Sequence, residues 1–226
     1  MFSRILTSAL IAGAAAGLIA ALLQLYFVQP VLLHAELFEN GTLTHFTPGM
    51  MSERVVDLPG FDPVRDLLSV AFSMLVYAGF GLVLVALMSM AEGIGTTITA
   101  RQGILWGVAG FVAVHMAPGF SLAPEVPGSM AADITMRQIW WFSTVIATAV
   151  ALWLLAFGRG AASWAGAAVL LLAPHVIGAP QADILTGPAP TELGSLFATR
   201  ALGVSFAGWV VLGVLAAQFW SQGDEG

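Results

Sequence analysis

Residues 67–90 read LLSVAFSMLVYAGFGLVLVALMSM, a run without a single charged side chain. An α-helix rises about 1.5 Å per residue, so this run would extend roughly 36 Å and cross a hydrocarbon core about 30 Å thick. Arg65 and Asp66 precede the run, and Glu92 follows it. A soluble core does not need so long an apolar segment, and the run therefore predicts a transmembrane helix.

Five other runs share this apolar character and are separated by charged, proline-containing or glycine-containing segments. The six runs are residues 5–28, 67–90, 103–117, 139–157, 161–177 and 197–220. Charged residues make up 9% of the chain, hydrophobic residues 58%, and the mean hydropathy is +0.91. We predict an all-α polytopic integral membrane protein of six transmembrane helices, a single transmembrane domain over residues 1–226 in a lipid bilayer. The third and fifth runs reach only roughly 23–26 Å, so five helices is the alternative count.

The first run also resembles a cleaved signal peptide in two respects. Arg4 gives it a positive start, and residues 12–17 are rich in small side chains. Its apolar stretch continues to Val28, however, which is longer than the hydrophobic core of a signal peptide. We therefore predict that this run is retained as the first helix.

Arginine placement indicates the orientation. With six helices and a cytoplasmic N-terminus, the inner segments hold Arg4, Arg101 and Arg159, and the outer segments hold Arg54, Arg65, Arg137 and Arg200. The raw count does not support this topology, but residues 29–66 form a long outer loop, and long translocated loops contribute little to the bias. We predict a multi-pass protein of the cell (inner) membrane with its N-terminus in the cytoplasm.

The acidic residues gather on the predicted outer side, which would attract cations. They are Glu36, Glu39, Glu53, Asp57, Asp62, Asp66, Glu125, Asp133, Asp183 and Glu192. For most of them, solvation of an external loop is a sufficient explanation. The acidic chain argues against a nucleic-acid partner. The sequence has no P-loop, no H-E-x-x-H and no G-x-S-x-G, and so gives no sign of an enzyme.

The chain has four histidines, and all lie at or just beyond the outer ends of helices one, three and five. They are His34, His45, His115 and His175. A lone histidine in an apolar segment is more often hydrogen-bonded structure than a ligand, but three at similar depth favour a shared site. With no cysteine, imidazole and carboxylate are the main ligands available, and they suit Co²⁺, Ni²⁺ or Zn²⁺. We predict a metal site formed by His34, Glu36, His115 and His175.

Two weaker patterns concern helix packing. His115 and Arg137 flank one Pro-rich acidic loop, and His175 and Arg200 flank another, which suggests three helical hairpins in a weak internal repeat. In addition, two G-x-x-x-G motifs begin at Gly13 and Gly103, and such motifs allow close helix contacts in lipid.

Several blocks of the sequence resemble the CbtA family, the predicted cobalt transporter subunit. They are LLQ at 22–24, QP at 29–30, Glu36, LAPEVPG at 122–128, AAD at 131–133, RQIWW at 137–141 and APHVIGAP at 173–180. The resemblance covers most of the chain and implies a cobalt importer component tied to cobalamin biosynthesis. It also implies a small one-helix, histidine-bearing CbtB partner, and five spans rather than six.

The leading hypothesis is therefore a subunit of a divalent-metal uptake system, with Co²⁺ as the transported ion and no permanently bound cofactor. One alternative is a haem- or quinone-binding subunit with His115 and His175 as axial ligands. The other is a non-transporting scaffold subunit in which the histidines are merely hydrogen-bonded.

Overall fold

The computed structural model describes residues 2–45 and 56–222, and every regular element within those ranges is a helix. Six helices are long and apolar enough to cross a membrane. They are α1 (Phe2–Glu39), α2 (Pro63–Gly93), α3 (Ala100–Ser121), α4 (Ile134–Phe157), α5 (Gly160–Ile177) and α6 (Thr191–Gln222). The predicted all-helical membrane fold and the count of six are confirmed, and the five-span expectation is not.

Two helices continue through prolines that the sequence pattern suggested as their ends. Residues Gln24–Val28 of α1 and Val112–Met116 of α3 are π-helical, and Pro30 and Pro118 follow each segment at the same distance. A proline cannot donate a backbone hydrogen bond, and its ring clashes with the carbonyl group four residues earlier in a regular helix. The wider π turn relieves that conflict. Consequently, residues 29–39 are helical and do not belong to the predicted outer loop 29–66.

Acidic side chains define the starts of α2 and α4. Asp62 accepts a hydrogen bond from the backbone N–H of Arg65 at 2.9 Å, and Asp133 accepts one from that of Met136 at 3.0 Å. Pro63 occupies the first turn of α2, where its missing N–H has no cost. These contacts are N-caps, which satisfy backbone donors that a helix leaves without partners.

The chain divides into two compact units, neither of which is contiguous in sequence. The first contains the chain up to Val28, Gly60–Phe111 and the chain from Gly203. The second contains the described parts of Gln29–Pro59, together with Val112–Leu202. Three helices contribute residues to both units, and the single transmembrane domain stays a prediction.

Glycine-mediated helix packing dominates the first unit. A methyl group on Gly17 would lie 2.6 Å from the Cα of Met74, so α1 and α2 pack with their backbones nearly in contact. Gly107 of the second motif approaches the backbone of Trp209 in α6 equally closely. Both G-x-x-x-G motifs thus mark close helix contacts, as the sequence predicted.

Arg4 joins the two ends of the chain within the first unit. Its guanidinium donates to the carbonyl oxygen of Trp220 and lies 3.9 Å from the centroid of the Trp220 ring. The start of α1 and the end of α6 are therefore held together by a charge-assisted hydrogen bond and a cation–π contact.

The second unit contains all four histidines and two loops that meet. The backbone N–H of Met130, between α3 and α4, donates to the carbonyl oxygen of Thr186, between α5 and α6, at 2.9 Å. Gly128 adopts a φ of +77° at this junction, and a side chain there would collide with Pro188. The two Pro-rich loops that the sequence singled out are thus in direct contact.

Candidate functional site

His34 has the least exposed side chain of the predicted ligands. It lies on α1, six residues beyond the π-helical segment, and only 8% of its surface is exposed. Its ring stacks on Phe38, with the centroids 5.5 Å apart. Within the described ranges its Nε2 atom has no hydrogen-bond partner. A buried polar atom without a partner is costly, so a bound ligand or water is the ordinary explanation for one.

Glu36 follows His34 by two residues and is half-buried. Residues two apart on an α-helix do not face each other. Because residues Gln29–Glu39 are α-helical, Glu36 and His34 are directed to different sides of α1. A cation held by His34 therefore requires its other ligands from elsewhere in the assembly.

His45 is brought back towards His34 by the turn that ends α1. The backbone N–H of Leu43 donates to the carbonyl oxygen of Leu37 at 2.8 Å, and Gly41 takes a φ of +79°. The His45 ring then meets Phe38 edge-on at 6.4 Å. Phe38 consequently contacts two imidazole rings, one of which, that of His45, is not among the predicted metal ligands.

His115 lies within the π-helical segment of α3. Its side chain is half-buried, and the segment packs against α4. A π-helical turn in an α-helix often marks a functional position, because the extra residue redirects side chains. His115 is therefore a polar side chain in an irregular, π-helical part of a transmembrane helix.

His175, near the end of α5, has the most completely defined surroundings. Its Nδ1 atom lies 2.8 Å from the hydroxyl oxygen of Ser121, the last residue of α3. Phe120 and Trp140 flank the ring at centroid distances of 5.3 and 6.1 Å. The indole N–H of Trp140 also donates to the carbonyl oxygen of Pro174, the preceding residue, at 3.1 Å. Both the backbone and the ring of His175 are therefore fixed.

The sequence did not predict that Ser121 contacts His175 or that Trp140 contacts Pro174. Ser121 and His175 are 54 residues apart, and nothing in the local pattern around either residue announces the pairing. The one available signal was position, because both residues come at the predicted outer ends of apolar runs.

The described side chains contain no group of three or more His, Cys, Asp or Glu residues arranged to hold a metal ion. His34, Glu36, His115 and His175 are thus not gathered into one coordination sphere by these helices alone. Their role as metal ligands stays a prediction. A cation at this end of the second unit would need water or a partner chain to complete its coordination.

Several carboxylates of the predicted outer side have structural partners. Asp62 and Asp133 cap helices, Asp66 is 4% exposed and lies 2.7 Å from the guanidinium of Arg65, and Glu125 lies 2.8 Å from that of Arg137. The negative charge available to attract cations is therefore smaller than the count of acidic residues indicates.

Comparison with known proteins bears on this arrangement of helices and histidines. The family model described as "Probable cobalt transporter subunit (CbtA)" matches residues 2–221, nearly the whole chain. The chain belongs to the CbtA family. No curated protein and no solved structure matches it.

Membership of the CbtA family confirms the sequence-based resemblance and gives the chain its general role. CbtA is a family of cobalt transporter subunits, and six apolar helices of spanning length make this member a multi-pass membrane protein. The two Pro-rich loops and the histidines discussed above all lie within the matched residues.

Proposed function

We propose that this chain is the polytopic subunit of a Co²⁺ uptake system in the inner membrane that supplies cobalamin biosynthesis. Its N-terminus lies in the cytoplasm, and its partner is a small one-helix CbtB-like subunit. Co²⁺ is the cargo, and neither a resident cofactor nor a catalytic step is required. The observation that carries the proposal is the buried, unpartnered Nε2 atom of His34 in a chain of a cobalt transporter family.

Metal entry begins at the outer ends of the helices in this scheme. Carboxylates that have no structural partner raise the local concentration of divalent cations. In this proposal His34, His115 and His175 each replace part of the hydration shell of Co²⁺ with imidazole nitrogen at separate points of the entry path, and Glu36 supplies a carboxylate on another side of α1 from His34. Imidazole is a suitable ligand for borderline ions, and the absence of cysteine removes the thiolates that would favour softer metals.

The partner completes the coordination sphere in this proposal. The described helices provide fewer than three suitably grouped ligands, so entry requires donors from water or from a second chain. A histidine-bearing single helix is a partner of the right chemistry. Further movement through the membrane uses water and backbone carbonyl groups, because the inner halves of the six helices hold almost no ligand side chains.

The direct test is ⁵⁷Co²⁺ uptake at low external metal in cells that express the chain with its small partner. We expect a triple variant, His34→Gln, His115→Gln and His175→Gln, to reduce uptake to the level of the empty vector. His45→Gln is the matched control and should retain most of the uptake, since His45 is a histidine of the same unit outside the proposed ligand set. Wild-type uptake by the triple variant would refute the histidine site.

A further inference from the structure

Ser121 makes a contact that bears on how His175 could bind a metal. Neutral imidazole has one nitrogen that carries a hydrogen and one with a free lone pair, and only the latter can bind a cation. The hydrogen bond made by one nitrogen decides which form is present. In this chain the Nδ1 atom of His175 is occupied by the hydroxyl group of Ser121 at 2.8 Å. Among the described residues, Nε2 of His175 has no hydrogen-bond partner.

The main chain of Ser121 is anchored to the loop that follows α5. Ser121 is the last residue of α3, and its carbonyl oxygen accepts a hydrogen bond from the side-chain amide of Gln181 at 3.2 Å. Gln181 lies in the loop after α5, so the contact ties the end of α3 to the segment that follows His175. Ser121 therefore contacts α5 through its side chain and the following loop through its main chain.

The ring of His175 is also restrained on its faces. Phe120 meets it at an interplanar angle of 80° and Trp140 at 67°. The hydrogen bond from Trp140 to the carbonyl oxygen of Pro174 limits movement of the backbone beside it. The Nε2 atom thus has a fixed direction while the side chain remains partly open to solvent.

From this geometry we infer that Ser121 is a positioning residue for metal binding. It accepts a hydrogen bond from Nδ1–H of His175 and so keeps the Nε2 lone pair available to a divalent cation. A hydroxyl group can accept this bond and still donate its own hydrogen elsewhere. Histidines that bind metals usually donate their second ring N–H to such a partner, which fixes the tautomer and the orientation. The inference rests on the proposed role of His175 in Co²⁺ entry.

The first test reads the tautomer directly. Purified full-length protein with ¹⁵N-labelled histidine has four imidazole rings, and the His175→Gln variant assigns the signal of His175 in long-range ¹⁵N–¹H spectra. We expect His175 to carry its hydrogen on Nδ1. A hydrogen on Nε2 would overturn the inference, because Ser121 would then be the donor and the ring would present N–H to the cation.

The second test measures Co²⁺ binding by the purified chain with its small partner. Ser121→Ala should weaken binding about tenfold, as loss of a ligand's hydrogen-bond partner typically does. Ser121→Thr retains the hydroxyl group and should bind Co²⁺ nearly as well as the wild type. Size-exclusion chromatography checks that each variant is folded. If Ser121→Ala does not fold, the wild-type tautomer and the Ser121→Thr affinity still decide the matter.

The outcomes separate the two proposals. Wild-type affinity in Ser121→Ala, together with weak binding in His175→Gln, would overturn the role of Ser121 alone. Wild-type affinity in His175→Gln would remove His175 from the metal site and overturn the inference with it. Absence of Co²⁺ binding by the wild-type complex would contradict the proposed function itself.

Discussion

The indole N–H of Trp140 donates a hydrogen bond to the carbonyl oxygen of Pro174 at 3.1 Å and thereby joins α4 to α5. The same carbonyl group also accepts from the backbone N–H of Gly178 at 3.0 Å. Trp140 is buried, with 7% of its surface exposed. This contact lies beside His175 and couples the packing of two transmembrane helices to the position of a predicted ligand.

Replacement of Trp140 by phenylalanine should lower the free energy of unfolding by about 1–3 kcal/mol, because it removes one hydrogen bond and part of a buried ring system. The carbonyl group of Pro174 would keep its bond from Gly178, so no buried acceptor is left without a partner. Thermal unfolding in detergent measures the effect. Trp141→Phe is the control, because the neighbouring indole has no such bond in the structure. Equal loss of stability in both variants would contradict the prediction.

Gly17→Ala should destabilise the packing of α1 against α2. The added methyl group would lie 2.6 Å from the Cα of Met74, and backbone cannot move aside cheaply. We expect a loss of about 1–3 kcal/mol, typical of overpacking.

Gly79→Ala provides the matched control for that substitution. Gly79 lies in α2 with nothing within 4 Å of an added methyl group. Because alanine is the better helix former, this variant should be as stable as the wild type or slightly more so. Unfolding by increasing fractions of a denaturing detergent compares the two variants, and equal stability would mean that the close contact at Gly17 is absent.

Six spans place both termini on the same side of the membrane, which we propose to be the cytoplasm. A fluorescent protein fused after Gly226 should therefore be bright, and alkaline phosphatase at the same position should be inactive. A phosphatase fused within residues 56–60, between α1 and α2, should be active. An active phosphatase at the C-terminus would refute either the six-span topology or the cytoplasmic N-terminus, and a second fusion at the N-terminus would show which.

The haem-binding alternative predicts a Soret band in the purified protein. We expect no such band, because the proposed role of His115 and His175 is the entry of Co²⁺ and not axial ligation of haem iron. Absorption spectra of protein purified from haem-replete cells test this. A Soret band that disappears in His115→Gln and His175→Gln variants would favour the alternative over cobalt transport.

The sequence revealed the transmembrane helices because each is a continuous apolar run, and lipid requires that its backbone be hydrogen-bonded internally. It also revealed the close contacts at Gly13 and Gly103, because small residues four apart share one helix face. The extension of α1 to Glu39 was missed. Pro30 ordinarily marks the end of a helix, and no local rule announced that a π-helical segment would accommodate it.

The sequence predicts which residues form the candidate site, and that composition stays a prediction; the contacts around those residues could not be predicted from it. The sequence predicts that the histidines lie at the outer ends of helices, and the structure places all four in one compact unit. The bond between Ser121 and His175 depends on how α3, α5 and the following loop pack, and the sequence alone does not encode that contact in any short pattern. The unpartnered Nε2 atom of His34 is likewise a consequence of burial, which only the packed helices determine.

The π-helical segment at Gln24–Val28 has a consequence for the rotational phase of α1. Each residue of an α-helix advances the chain by about 100°. If the same residues formed a regular α-helix, the Gly13 and Gly17 face would stay in place and every side chain beyond the segment would turn by about that angle. His34 would then leave its buried position while the glycine contacts stayed intact. The segment therefore allows the glycine face in the N-terminal part of α1 and the side chain of His34 in its C-terminal part to be oriented independently.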